Sequence, residues 1–308
     1  FARIVAQCQF AGLIEGKKIH MDGSLVEANA SNNAVLKGCP ELIEQIRKQL
    51  GAEIEKLDEP KDDRPSQYYE KKNKRLVNKT DPDAAMISNK GKESHARYKT
   101  HRVVDDKCGI ITATETTSGD VEENAKLMDI VDQHEGNTQQ TVETVVADSQ
   151  YGTADNFRAC HERAITSHMG DMLAPQKKKG RREGIFGYDD FKYDKESDTL
   201  TCPAGETLTR RKHKKERKAF EYACPVKVCA QCCIRSQCTR AKGTARTIKR
   251  HYNHEAVEAG RRQSQTMAAK RDRVRRKWLM EGSFADAANN HGFKRSRWRR
   301  LWRQQIQD

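Results

Sequence analysis

The chain has 308 residues, enough for one large or two ordinary domains, and either size can bury a core. Only 35% of residues are hydrophobic and 33% are charged, so the core must be economical and much of the chain must face solvent or a ligand. Persisting apolar periodicities exclude disorder of the whole, and no run is long or apolar enough to suggest a signal peptide or a membrane span.

The net charge of +14 is unevenly distributed. Residues 1 to 173 carry 23 Lys+Arg against 29 Asp+Glu, net −6, whereas residues 174 to 308 carry 35 against 15, net +20. A soluble protein with scattered exposed lysines would mix its signs throughout; a cationic half of this size attracts a polyanion, and duplex DNA is the natural one. Six of the ten cysteines lie between 202 and 238, which in a chain without a secretory signal fits a reduced metal site in a cytoplasmic protein better than a disulfide framework. Phe1 leads at once into a strand approach, so an N-terminal segment is expected to precede the chain.

Lys17 to Met21 reads as a strand, Asp22-Gly23 as a tight turn and Leu25 to Ala28 as a short return. Residues 40 to 58 predict a helix, with Pro40 in its first turn and Leu42, Ile43, Ile46, Leu50, Ile54 and Leu57 three to four apart. From Pro60 to Arg97 apolar residues are sparse and an exposed excursion is expected. Tyr98 to Val104 and Ile110 to Thr117 are rich in β-branched residues and predict a hairpin. A helix over Val121 to His134 should follow, with Leu127, Ile130 and Val131 inward. Val142 to Ala147 is a buried-strand run ending at Asp148; Thr153 can cap a helix over Ala154 to Arg163, and Ile165 to His168 can form another strand.

This order predicts a mixed sheet with helices on its faces. Three regions follow: residues 1–174 as the first part of an α/β core, 175–246 as an inserted basic, cysteine-rich module, and 247–308 as a helical return to the core. A long helix from about His254 to Asn289 places Val274, Trp278, Glu281 and Phe284 on one stripe, expected to face the body.

Asp22 and Asp148 each end an apolar strand beside a glycine-containing turn, where ligands gather in open sheets, although Asp also begins many turns for purely local reasons. Glu281 on an inward stripe is unfavourable there unless a metal or cation meets it. Three hard oxygen donors suit a pair of Mg²⁺ or Mn²⁺ ions and in-line attack on phosphorus.

The segments Ile19-His20-Met21-Asp22-Gly23-Ser24, Glu27-Ala28-Asn29-Ala30, Asp81-Pro82-Asp83-Ala84, Val145-Val146-Ala147-Asp148-Ser149-Gln150-Tyr151-Gly152 and Cys202-Pro203-Ala204-Gly205, together with the cysteine cluster, resemble insertion-sequence transposases of the DDE type along nearly the whole chain. The resemblance implies a ribonuclease H-like core, DNA cleavage and strand transfer at transposon ends with two divalent ions, and action as an oligomer, a homodimer on terminal-repeat and target DNA. It also implies a bacterial cytoplasmic, nucleoid-associated protein with Asp22, Asp148 and Glu281 as the three acids. Where relatives carry Tyr, Arg and Lys around the third acid, this chain has Val274, Lys277 and Ala288; Lys277 can replace the arginine's charge but not its fork, and Lys294 or Arg295 could stand in for the final lysine.

Cys229 and Cys232 form a Cys-x-x-Cys knuckle, and four thiolates complete a closed structural zinc site. The family pattern selects Cys202, Cys229, Cys232 and Cys238, with Cys224, Cys233 and His213 as rivals. Such a site would organise the basic run Arg210 to Lys215; the remaining Cys8, Cys39, Cys108 and Cys160 are expected to pack. Beyond Glu281, Lys294, Arg295, Arg297, Arg299 and Arg300 form a candidate phosphate track, as do Lys177 to Lys179 with Arg181 and Arg182, while Leu301 and Trp302 are expected to pack. Two other functions fit the same residues: a zinc-containing DNA-binding protein that has lost catalysis, and a metal-dependent nuclease without strand transfer.

Overall fold

The computed structural model describes residues 1–37, 45, 46, 48, 49, 76–88, 93–172, 184–215, 218–241 and 243–308. The chain divides into two compact units, one of Phe1–Gly170 with Gly260–Asp308 and one of Asp171–Ala259. The helix expected over 40–58 lies almost entirely outside the described residues, as do Cys39, Lys177 to Lys179 and Arg181 and Arg182.

The first unit opens with helix α1 (Ala2–Phe10) and strand β1 (Lys18–Glu27), followed by the short pair β2 (Val35–Lys37) and β3 (Leu76–Asn78), then β4 (Ala85–Ser88), β5 (Ser94–Asp105) and β6 (Ile111–Ser118). A 3-10 turn, Glu123–Lys126, leads into α2 (Leu127–Thr138); β7 (Thr144–Ala147), α3 (Ala154–Glu162) and β8 (Thr166–Met169) follow. The hairpin, α2, α3 and the two parallel strands stand where the apolar patterns put them. Leu127, Ile130 and Val131 are buried, and the Thr153 hydroxyl accepts from the Asn156 amide at 3.2 Å to cap α3. Between Pro60 and Arg97 the expected excursion is in part ordered sheet, since β3, β4 and the first residues of β5 fall within it. Its few apolar residues are economically used: Val77, Ala84, Ala85, Met86 and Ala96 are all buried.

The main sheet runs β8–β7–β1–β5, and β5 also pairs with β6 over Tyr98–Val104 and with β4 over Ser94–Arg97. β1 pairs antiparallel with β5 from Ile19 opposite Asp105 to Glu27 opposite Arg97, and parallel with β7, which is parallel to β8. This mixed sheet with flanking helices is consistent with a ribonuclease H-like architecture. One expectation is corrected: β1 does not turn at Asp22-Gly23 but passes straight through, because nine consecutive residues lie in register with β5, which holds the segment extended.

The second unit is a five-stranded antiparallel meander, β9 (Lys192–Asp194), β10 (Thr199–Thr201), β11 (Thr207–Lys214), β12 (Ala219–Ala223) and β13 (Thr247–His251), with short helices α4 (Val226–Ala230) and α5 (Arg235–Cys238) between the last two strands. Phe191, Leu200, Leu208, Tyr222 and Ile248 form its core.

The helix expected from His254 to Asn289 is two, α6 (His254–Gln265) and α7 (Met267–Asn290), because Thr266 takes an extended backbone and its hydroxyl accepts from the Ala269 amide at 3.1 Å, starting a new helix. The expected inward stripe is also corrected. Val274 and Trp278 are 68% and 56% exposed, and Glu281 is exposed. Inward instead point Ala269, Asp272, Arg276, Met280 and Ser283. The ground beneath α7 is polar, which decides the matter. Asp272 receives Lys18 Nζ at 3.3 Å and His168 Nδ1 at 2.7 Å, and Arg102 Nη1 donates to the Ser283 hydroxyl at 3.0 Å. A purely apolar stripe there would strand those groups.

The chain closes with α8 (Leu301–Gln307), where Leu301 packs beside Ala28, Ala84 and Tyr98 as expected. The Asp81-Pro82-Asp83 segment holds its start: the Arg300 amide donates to Asp81 Oδ1 at 3.2 Å and the Leu301 amide to Asp83 Oδ2 at 3.1 Å, satisfying donors that a helix N-terminus leaves open. Tyr98 Oη donates to the same Asp81 oxygen at 2.7 Å.

Asp81 is fully buried, and that burial, partly countered by the Tyr98 bond, pushes its carboxyl up to about 6, above the roughly 3.9 of a free aspartate. The folded chain therefore holds this proton more tightly than the unfolded one; the stability so gained is complete below about pH 4 and is lost as pH rises through 6. Asp81→Asn cannot ionise and escapes that loss. Measured by denaturant unfolding, its stability relative to the parent should improve by on the order of 2–3 kcal/mol between pH 4 and pH 8. An identical difference at both pH values would mean that the fold does not raise the Asp81 carboxyl.

Candidate metal centre

Asp22 and Asp148 come together through sheet register. β1 and β7 pair in parallel with Lys18 opposite Thr144 and His20 opposite Val146; carried two residues past that pairing, the register brings Asp22 toward Asp148 just beyond the end of β7, and their carboxylate oxygens lie within 4.8 Å. Asp148 follows the last residue of β7, and its Oδ1 accepts from the Gln150 amide at 2.7 Å, fixing the turn and the side chain together. Asp22 Oδ1 accepts from the Gly23 amide at 2.9 Å, while its other oxygen accepts from Arg276 Nη1 of α7 at 2.6 Å.

A third carboxylate joins them that sequence reasoning did not single out. Glu123, from the 3-10 turn before α2, offers an oxygen that lies with those of Asp22 and Asp148 within 4.8 Å of one another, and among the described residues this is the group arranged to hold a metal ion. Gly23 explains how it gets there. A Cβ at position 23 would stand 2.8 Å from Glu123 Cδ, so the glutamate head occupies the space that any side chain would need. The glycine that reads as a turn in the sequence is instead a cradle within a strand. Lys99 Nζ lies 3.7 Å from Glu123 Oε1. No local pattern advertises Glu123; only the crossing of β1 by the segment after β6 brings it into place.

The three acids repel one another in a half-buried setting. Burial is the largest influence on Glu123 and, with Asp22 and Asp148 adding to it against Lys99, pushes its carboxyl up to about 7. Burial likewise raises Asp22, countered by Arg276 and reinforced by Asp148. Protons held this readily, in a donor set made wholly of carboxylate oxygens, fit a hard divalent cation that would replace them.

Glu281 does not enter this cluster. It lies five residues beyond Arg276 on α7, about 140° around the helix, and is exposed. Lys277, expected to replace the family's arginine, is exposed too, and the basic residue of α7 that reaches the acids is Arg276.

In the second unit, Cys202, Cys224, Cys229, Cys232 and Cys238 line one apolar pocket. Burial raises the Cys238 thiol, Arg246 opposes this, and Cys229, Cys202 and Cys232 add to it, so the four family-pattern cysteines are electrostatic neighbours. Arg235 Nη1 donates to the Cys229 carbonyl at 3.0 Å and to its sulfur at 3.4 Å. Of the rivals, Cys224 lines the pocket, Cys233 is exposed, and His213 belongs to an aromatic group with Phe220 and Tyr252. Cys160 packs as expected, whereas Cys108 is exposed.

Along the candidate phosphate track, Lys294, Arg295, Arg297 and Arg299 are exposed. Arg300 is not: it is 9% exposed, its Nη1 lies 3.8 Å from Asp83, and its backbone takes a φ of 84° to turn the chain into α8. Its charge serves the fold, a role that a run of alternating arginines in sequence conceals. The segment from Lys294 to Ser296 is fixed to the end of β1, since the Glu27 amide donates to the Lys294 carbonyl at 3.1 Å and the Ser296 amide to the Glu27 carbonyl at 2.7 Å.

Residues 201–307 match the family model described as the transposase DDE domain. That stretch contains the four cysteines, Glu281 and the basic tail, while Asp22, Glu123 and Asp148 precede it. No curated protein and no solved structure matches the chain.

Proposed function

Because residues 201–307 match the family model of the transposase DDE domain, we propose that this protein is a DDE transposase that cleaves DNA at transposon ends and joins it to target DNA with divalent metal. The observation that carries the reading is the alignment of Asp22 and Asp148 on neighbouring strands, with a further carboxylate in reach and a glycine cradle between them. Two Mg²⁺ or Mn²⁺ ions bound there would supply activation of a water or 3′-hydroxyl and stabilisation of the leaving oxygen.

Asp22 and Asp148 supply the ligand oxygens. Arg276, paired with Asp22, neutralises part of the negative charge that would otherwise repel a DNA phosphate. Glu281 is assigned as the third acid from the resemblance alone; on α7 it stands exposed and outside the group of Asp22, Glu123 and Asp148. The basic tail supplies phosphate contacts, and the protein acts as a homodimer on DNA. No helix among the described residues is long and apolar enough to cross a membrane. Cys202, Cys229, Cys232 and Cys238, which line one pocket without three of their sulfurs standing within 4.8 Å of one another, are proposed to hold one structural Zn²⁺ on the resemblance and on the suitability of thiolates for that ion.

Asp22→Asn, Asp148→Asn and Glu281→Gln should each lower Mg²⁺-dependent cleavage of DNA bearing candidate terminal repeats by at least about a hundredfold while leaving DNA binding intact, since each removes charge at little change in volume. Mapping of cut and joined ends separates the alternatives. Cutting without joining would indicate a nuclease, and metal-independent binding alone a DNA-binding protein that has lost catalysis.

Metal analysis of protein purified without added zinc should find about one Zn²⁺ per chain, absent from Cys229→Ser or Cys232→Ser. Six titratable thiols between 202 and 238 and no zinc would remove that site.

Binding to non-specific duplex should weaken steeply with salt. Arg297→Gln with Arg299→Gln should flatten the slope by up to about two units, one for each phosphate no longer neutralised. Arg300→Gln should instead lower thermal stability, because its partners are Asp83 and the start of α8. A slope unchanged by the double variant would move the DNA track off the tail.

A further inference from the structure

We infer that Glu123 is itself a ligand of the divalent cation, so that this chain binds metal through Asp22, Glu123 and Asp148 before any DNA is present. The inference rests on the proposed metal-dependent reading of the site and adds to it a residue from a segment that the family match does not reach.

Two independent observations support it. Oxygens from all three carboxylates lie within 4.8 Å of one another, so that small side-chain shifts would bring them to the roughly 2.0–2.1 Å ligand distances of a cation such as Mg²⁺. Gly23 leaves the space occupied by the Glu123 head, with Cγ and Cδ both 2.8 Å from where a Cβ would stand. A glutamate with only a structural role would turn its charge toward solvent or fully onto a cation. Glu123 instead keeps a long 3.7 Å approach to Lys99, whose Nζ donates at 2.8 Å to the Val121 carbonyl. Glu123 therefore stays short of a close ion pair and faces two further acids, whose mutual repulsion Lys99 and Arg276 offset only in part and a metal ion would relieve.

Sheet and turn divide the work. Asp22 is fixed by β1 and Asp148 by the end of β7, so their separation is set by strand spacing; Glu123 rides on a short 3-10 turn and can adjust by rotamer to the ion. Three protein oxygens would leave a small cation such as Mg²⁺ room to bind water and phosphate oxygens as well.

The test is Mn²⁺ binding by calorimetry to the 308-residue chain without DNA. Glu123→Gln should weaken Mn²⁺ binding by about tenfold or more, at least as much as loss of a supporting residue around a metal. Glu122→Gln, which removes the same charge one residue away, should bind as the parent does. Gly23→Ala fills the cradle and should lose affinity by a similar factor with Glu123 chemically intact. Thermal unfolding of each variant reports whether the fold is kept. Parent-like affinity in a folded Glu123→Gln protein overturns the inference and leaves the Asp22 and Asp148 reading in place. Absence of Mn²⁺ binding by the parent chain overturns both.

Discussion

The candidate site depends on the double pairing of β1. One edge of that strand is hydrogen-bonded antiparallel to β5 over nine residues and the other parallel to β7, so its position is fixed from both sides. The parallel register sets Asp22 against Asp148, and the antiparallel one sets Gly23 opposite His101, in a ladder tight enough that a missing side chain becomes usable space. Because strand spacing is a property of the backbone, the separation of the two aspartates does not rely on side-chain packing. A slip of one residue would turn Asp22 to the other face and end the arrangement.

Helix α7 adds charge to this frame. Along one face Asp272, Arg276 and Ser283 meet Lys18 with His168, Asp22 and Arg102 in turn, which ties the helix to β1, β5 and β8 through polar contacts. A helix held in this way is specified in rotation and in height along its axis, since a turn's displacement would break each bond. Such contacts add less to stability than apolar burial, but they determine orientation more sharply. Arg276 reaches Asp22 for this reason.

How much of this could be read from the sequence follows the range of the interactions. The hairpin, α2, α3 and the two parallel strands are visible because their apolar periods and caps are local, and Asp22 and Asp148 stand out at the ends of such patterns. Three features escape for reasons of distance. Asp22-Gly23 has the composition of a turn, yet β5, some eighty residues away, holds it extended. α7 carries both an apolar and a polar stripe, and the polar sheet surface, not the helix, decides which turns inward. Glu123 becomes visible only when the segment after β6 crosses β1. Arg300 shows the opposite error, since a charge that looks exposed in an arginine-rich run is buried beside Asp83 while its backbone amide donates to Asp81, both more than two hundred residues earlier.

The first unit is discontinuous: its sheet is complete by Gly170, but α7, α8 and the strap from Lys294 to Ser296 belong to it and come after the whole second unit. During synthesis at roughly 5–20 residues per second, the intervening 89 residues, Asp171–Ala259, can fold on a contiguous stretch while the sheet still waits for its last helices. For those seconds Asp22 has no Arg276 beside it, and the buried Asp81 carboxyl has no Arg300 amide to receive. The nascent sheet thus carries uncompensated acids until α7 and the start of α8 arrive. Emergence of the C-terminal segment is therefore the event that both covers the sheet and balances its charge.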